Sequence, residues 1–209
     1  MIQEATRAGE LAALHRAIAT CTKCALSGGR TQAVPGEGPW NADVMFVGEG
    51  PGFHEDRQGR PFVGRAGQLL DEMLGVAGLQ RDEVFITNIV KCRPPENRDP
   101  LPNEIAACAD YLTRQIELIG PKFIVTLGRY SMARFFPGQS ISRIHGRQQT
   151  IGGITYVPMY HPAAALRSAA VHEALETDFR RLGEMLREHA RRELERQEPE
   201  PSAQQLRLI

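Results

Sequence analysis

Apolar residues fall in two rhythms along this chain. Short, nearly unbroken apolar runs at 43–47, 84–87, 123–127 and 154–159 have the length and composition of buried strands. Between them the apolar positions spread to helical spacing. Leu11, Leu14 and Ile18 share one face of a helix over 3–20, and Leu69, Leu70, Met73 and Leu74 one face of a helix over 66–74. Gly75 and Gly78 mark the end of the latter. Further helices are predicted over 103–119 with Asn103 as N-cap, over 128–136 before Pro137-Gly138, and over 170–190. Strands alternating with helices predict an α/β fold: a three-layer α/β/α sandwich with a central four-stranded, mainly parallel sheet. Residues 1–190 read as one domain. Residues 191–209 read as a charged tail, and 197–209 have two prolines and too few large apolar groups to pack.

In such a sheet, ligands sit at the carboxyl ends of the strands. Here those ends carry Gly48-Glu49-Gly50, Asn88, Gly128 and His161. The stretch from Val44 to Gly67 is the most informative. A strand breaks into a glycine loop at 48–52, a polar turn follows, and after Pro61-Phe62 a helix starts near Gly64. That order aims backbone N–H groups at a ligand. The similar Gly36-Glu37-Gly38-Pro39 has no strand before it and no helix after it, so it lacks that setting. No phosphate-site lysine follows the 48–52 loop, which argues against a nucleotide-phosphate site.

Composition adds bounds. The chain has 209 residues and a formal net charge of zero. No apolar run approaches a membrane span, and residues 1–10 do not read as a signal peptide, so a cytoplasmic monomer is expected. The charge is unevenly spread. No Asp or Glu occurs between Glu117 and Glu173, a window that carries Lys122, Arg129, Arg134, Arg143, Arg147 and Arg167. A one-signed segment in a neutral chain points to a face that meets phosphates, unless acids fold in from elsewhere.

The four cysteines are Cys21, Cys24, Cys92 and Cys108. Disulfides are not expected in the cytosol. The Cys21-x-x-Cys24 pair closes a helix, where a redox pair of the thioredoxin type opens one. The second pair is too widely spaced for a usual zinc ribbon. Spacing alone leaves an iron–sulfur cluster, a zinc site and free buried thiols open.

With loop and cysteines together, the sequence resembles the iron–sulfur (family 4) uracil-DNA glycosylases. The likeness runs through Gly48-Glu-Gly-Pro-Gly-x-x-Glu-Asp56, Gly59-Arg-Pro-Phe-Val-Gly64, Thr87-Asn-Ile-Val-Lys-Cys-Arg-Pro-Pro95 and His161-Pro-Ala-Ala-Ala-Leu-Arg167, and covers roughly residues 15–190. It implies a [4Fe-4S] cluster on Cys21, Cys24, Cys92 and Cys108, and hydrolysis of uracil from single- or double-stranded DNA to leave an abasic site. Such a step needs a flipped nucleotide, a held base, a stabilised leaving anion and a water. The resemblance implies Asn88 as reader of uracil N3–H and O4, Phe62 as stacking partner, and His161 as the donor to O2. Gly48, Glu49 and Gly50 form the pocket floor, and Glu55 blocks the C5 position against thymine. Some relatives carry an acid where Gly50 stands, which leaves Glu49 as the nearest carboxylate to position water. Ala165, Leu166 and Arg167 are expected in the DNA minor groove, Leu166 as wedge, and Arg143 and Arg147 on phosphates. An alternative is a non-catalytic or covalent uracil-DNA binder. Some relatives bind covalently through a histidine in an insertion after the strand-two motif; that insertion is absent here, so His145 is read as structural or phosphate-contacting. Finally, Gln205-Leu206-Arg207-Leu208-Ile209 resembles the bacterial sliding-clamp binding pentapeptide.

Overall fold

The computed structural model describes the backbone of residues 2–197 and the side chains of residues 6–196. The clamp-like Gln205, Leu206, Leu208 and Ile209 lie outside the described residues.

The sheet has five strands: β1 (Val44–Gly48), β2 (Phe85–Asn88), β3 (Phe123–Leu127), β4 (Gln149–Ile151) and β5 (Ile154–Met159). Their order is β2-β1-β3-β5-β4. The four expected strands are mutually parallel where they pair, and the fifth, β4, adds an antiparallel edge. The sequence hid β4 because its three residues are exposed and only one of them, Ile151, is apolar, too few to set a strand pattern.

Strands β1, β2 and β3 are buried along their whole length, as a sheet covered on both faces requires. Alternation decides which side each residue serves. Met45, Val47, Phe85, Ile124 and Tyr156 face one core with helices α1 (Ile2–Ala19) and α4 (Pro102–Ile119). Val44, Phe46, Ile86, Val125 and Val157 face the other, with α3 (Arg65–Ala77) and the last helix, Ala169–Gln197. Phe46 stacks there on Phe179, ring centroids 5.9 Å apart.

Several boundaries differ from expectation for local reasons. The turn after Gly52 is a short helix, α2 (Phe53–Gln58), whose N-terminal N–H at Gly52 donates to Glu55 Oε2 at 3.1 Å. The cap of α4 is Leu101, not Asn103: Pro102 takes the first helical position, and Leu101 N–H donates to Glu104 Oε2 at 2.7 Å. After β3 come α5 (Arg129–Phe135) and α6 (Ile141–Ile144). The expected loop after His161 begins as a helical turn, α7 (Pro162–Ala165), and the last helix, α8 (Ala169–Gln197), runs past residue 190 into the expected tail. The glycine stretch at 36–39 has a structural use. Glu37 exchanges both backbone hydrogen bonds with Ile86, at 2.9 and 2.7 Å, and so continues the sheet beyond β2. Among the described residues, no helix is long and apolar enough to cross a membrane.

Candidate active site and cysteine cluster

Parallel strands bring their carboxyl ends to one edge, and there a cavity of about 620 Å³ opens. Glu49, Gly50, Glu55, Phe62, Asn88 and His161 all line it. Gly48 does not; it lies beneath, in register with Asn88. Its missing Cβ is what lets the site close. A Cβ there would stand 2.4 Å from Asn88 Oδ1 and 2.7 Å from the Phe62 ring.

Asn88 is 1% exposed, and its Oδ1 is a buried acceptor with no hydrogen-bond partner. A buried amide oxygen is nearly always bonded, so one left without a partner on a residue that lines the cavity fits a recognition group awaiting a donor. Its backbone is fixed from behind by Lys91, also 1% exposed, a residue to which the sequence reading gave no role. Lys91 Nζ donates to the Asn88 carbonyl at 2.7 Å, to Thr87 Oγ1 at 2.6 Å and to Gln115 Oε1 at 2.7 Å. Burial brings the Lys91 ammonium down to about 7. The only sequence signal for Lys91 is its place in the 87–95 motif, immediately before Cys92.

Phe62 holds a left-handed backbone, φ 49°, unusual for an aromatic residue. Arg81 secures it, donating to the carbonyls of Pro61 at 2.6 Å and Phe62 at 3.2 Å. Nothing in the sequence singled out Arg81. The Phe62 ring stacks against His161, centroids 5.5 Å apart at 27°, so the two rings form one wall.

His161 Nδ1 accepts a hydrogen bond from the Ala163 N–H at 3.1 Å. That bond assigns the ring proton to Nε2. Desolvation lowers the imidazole pKa to about 4, with Glu55's charge opposing, so the ring is neutral and Nε2–H is its donor.

Glu55 is spent on backbone: Oε1 accepts from Val63 and Gly64 N–H, each at 2.9 Å, while Oε2 accepts from Gly52. It clasps the two ends of the loop while still lining the cavity. Glu49 is different. Burial, then the charge of Asp99, pushes its carboxyl up to about 7, with Arg129 opposing. It is the cavity carboxyl poised to change charge near neutrality.

Two of the six cations of the basic window are neutralised. Lys122 pairs with Glu193 and Asp43, and Arg129 with Asp99. Among the described residues, Arg143, Arg147 and Arg167 have no carboxylate partner, and all three are exposed. Leu166 is 41% exposed beside Arg167. Ala165 departs from an exposed position: it is buried in the core against α8, because the turn of α7 points it inward. His145 does not line the cavity. Its Nδ1 meets Asp178 Oδ2 at 2.7 Å, on a carboxylate 1% exposed and pushed upward by burial.

All four cysteines border one small enclosed space behind Lys91. Arg30 Nη1 donates to Cys92 Sγ at 3.1 Å, and the Lys23 N–H to Cys21 Sγ at 3.4 Å. Burial pushes the Cys92 and Cys108 thiols up, while Arg30 and Lys91 respectively pull them back. Among the described residues, no three His, Cys, Asp or Glu side chains are grouped to hold a single metal ion.

Comparison with known proteins gives the same direction. The family model described as the uracil DNA glycosylase superfamily matches residues 35–183. The chain is 50% identical over 178 residues to the type-4 uracil-DNA glycosylase of Sulfurisphaera tokodaii, covering 80% of this chain and 81% of the relative. It is 51% identical over 176 residues to that of Saccharolobus solfataricus, covering 79% and 82%. To that of Archaeoglobus fulgidus it is 45% identical over 179 residues, covering 81% and 90%. Cavity, orphaned amide, neutral histidine and clustered thiols therefore sit in a chain that belongs to the uracil-DNA glycosylase superfamily, in its type-4 family.

Proposed function

We propose that the chain excises uracil from DNA by hydrolysing the N-glycosidic bond, leaving an abasic site and so opening base excision repair. The observation that carries this is the unpartnered Asn88 Oδ1 at the cavity. Uracil N3–H supplies the missing donor. Cytosine has an acceptor at N3 and would leave the amide unpaired, which discriminates by about 10⁴-fold or more in sites built this way.

As the C1′–N1 bond breaks, its electrons pass into the pyrimidine ring and negative charge gathers on O2. The neutral His161 donates from Nε2–H to that oxygen. One such donor contributes about 10²–10³ in rate. The sugar becomes cationic, and a water adds to C1′. Glu49 as carboxylate orients that water and faces the cation, and the water's second proton passes to solvent. Placement matters more than deprotonation when the transition state is oxocarbenium-like. Phe62 offers a stacking wall, the clasped Glu55 carboxylate bounds the C5 side, and Arg167, Arg143 and Arg147 meet phosphates with Leu166 as wedge.

Cys21, Cys24, Cys92 and Cys108 would hold a [4Fe-4S] cluster. The fit is favoured by four thiols around one enclosed space, two of them receiving hydrogen bonds. Such a cluster would supply a structural tie between the end of α1, the loop after β2 and α4. A visible iron–sulfur absorbance in the purified protein, and its loss in Cys92→Ala, tests this.

The covalent alternative is disfavoured by His145, whose Nδ1 is engaged by Asp178 away from the cavity. The test is incubation with a uracil-containing oligonucleotide. An abasic product with wild type, lost in His161→Ala, is expected; no product, or a denaturant-stable adduct lost in His145→Ala, would overturn the reading.

A further inference from the structure

One aromatic side chain beside the cavity is packed into neither core. Phe53 follows Gly52, a lining residue, and is 45% exposed. Two guanidinium groups lie over its ring, Arg57 Cζ at 5.5 Å and Arg93 Cζ at 5.2 Å from the centroid, and the edge of His54 meets it at 5.4 Å. Arg93 comes from across the mouth. It precedes Pro94, another lining residue, and its Nε donates to Asn97 Oδ1 at 2.8 Å. Asn97 itself lines the cavity. Phe53 is thus bracketed by two loops that both frame the opening.

The charges around it are distinctive. Three other cations near the mouth are answered, Arg98 by Glu104, Arg129 by Asp99 and Arg60 by Glu37, while among the described residues Arg167, also in the lining, is not. Among the described residues, neither Arg57 nor Arg93 has a carboxylate partner. An exposed ring with two unanswered guanidinium groups has what a nucleotide needs: a flat apolar face for the base and positive charge for its phosphate. Arg57 is exposed and one turn along α2 from Phe53, so it can leave the ring to a base and take the adjoining phosphate, while Asn97 keeps Arg93 in place.

We propose that Phe53, with Arg57 and Arg93, forms a second stacking subsite for the nucleotide next to the one in the cavity. This rests on the uracil-excision reading. Phe53 is bonded directly to Gly52 of the lining, with about 3.8 Å between their α-carbons, so the occupant is the immediate neighbour. A base engaged there must leave its own stack, which favours single-stranded or frayed uracil sites.

The experiment compares wild type, Phe53→Ala and Phe53→Trp on single-stranded oligonucleotides containing one uracil. One oligonucleotide has natural bases on both sides, and a second has base-free tetrahydrofuran residues there. On the first, Phe53→Ala is expected to weaken binding about 5- to 100-fold, the loss of one base–aromatic stack, with the saturated single-turnover rate unchanged and Phe53→Trp restoring affinity. On the second, the three proteins should bind alike. Equal binding of wild type and Phe53→Ala to the first oligonucleotide overturns the proposal, as does an equal loss on both. Failure of wild type to release uracil from either would instead refute the excision reading, so the two failures are distinguishable.

Discussion

Replacing Asn88 by alanine tests the site's logic through stability as well as rate. In the free protein the buried Oδ1 has no partner, which costs about 1–3 kcal/mol. The substitution removes that penalty. Against it stands the lost packing of a small side chain, on the order of 1–2 kcal/mol because the site borders open cavity and not sealed core. The terms offset, so the net change should stay within about 1 kcal/mol, or roughly 2–4 °C in Tm for a chain of this size. A buried leucine cut to alanine would instead cost about 2–5 kcal/mol. Excision should fall by about 10²-fold or more, since the base loses its edge contact. Thermal melts of both proteins, matched for iron content, with and without free uracil, read the two effects separately. Uracil at 100 times its Kd should stabilise wild type by about 2.7 kcal/mol and leave Asn88→Ala unmoved. A Tm loss beyond about 10 °C would mean that Asn88 is a paired structural residue, and a retained uracil shift would mean that it does not read the base; either result refutes the reasoning.

The remaining predictions concern the groups around it. Single-turnover excision should rise with pH through about 7, because the raised Glu49 carboxyl is neutral below that value and a carboxylate above it. His161, neutral above about 4, adds no decline on the alkaline side. Glu49→Gln should flatten the profile and lower its plateau, and Asp99→Asn should move the inflection to lower pH, as removing the neighbouring charge favours the carboxylate; pH–rate profiles of the three proteins decide this. Gly48→Ala should abolish excision and destabilise by about 1–3 kcal/mol, since the new Cβ would overlap Asn88 Oδ1 and the Phe62 ring; a variant with full activity would show that the site is looser than described. Lys91→Met should cost about 2–4 kcal/mol in stability, from acceptors on Asn88, Thr87 and Gln115 left unpaired in the core, and should slow excision with it; unaltered melting would show that the ammonium is dispensable.

Much of this protein was legible in its sequence because the signals were local. Apolar runs of strand length fixed β1, β2, β3 and β5, and their alternation with helical periodicity fixed a parallel sheet with an active edge. Gly48-Glu49-Gly50, Asn88 and His161 could be named because strand ends and a glycine loop mark themselves in one dimension, while Phe62 and the grouping of the four cysteines came through the family resemblance. What the tertiary structure alone decided are facts about which groups pair, which are buried and which way a turn points. The unpaired state of Asn88 Oδ1, and the Lys91 ammonium that joins the Asn88 carbonyl to Thr87 and Gln115, exist only in the fold. The neutral tautomer of His161 follows from the turn of α7 that aims the Ala163 N–H at Nδ1, and the same turn buries Ala165 while leaving Leu166 exposed. The raised carboxyl of Glu49 comes first from burial and then from the charge of Asp99, fifty residues away, and the partly neutralised basic window draws on Asp43, Asp99 and Glu193 from outside it. Burial and electrostatics depend on distances in space, and a sequence carries those only where neighbours in the chain are also neighbours in the fold.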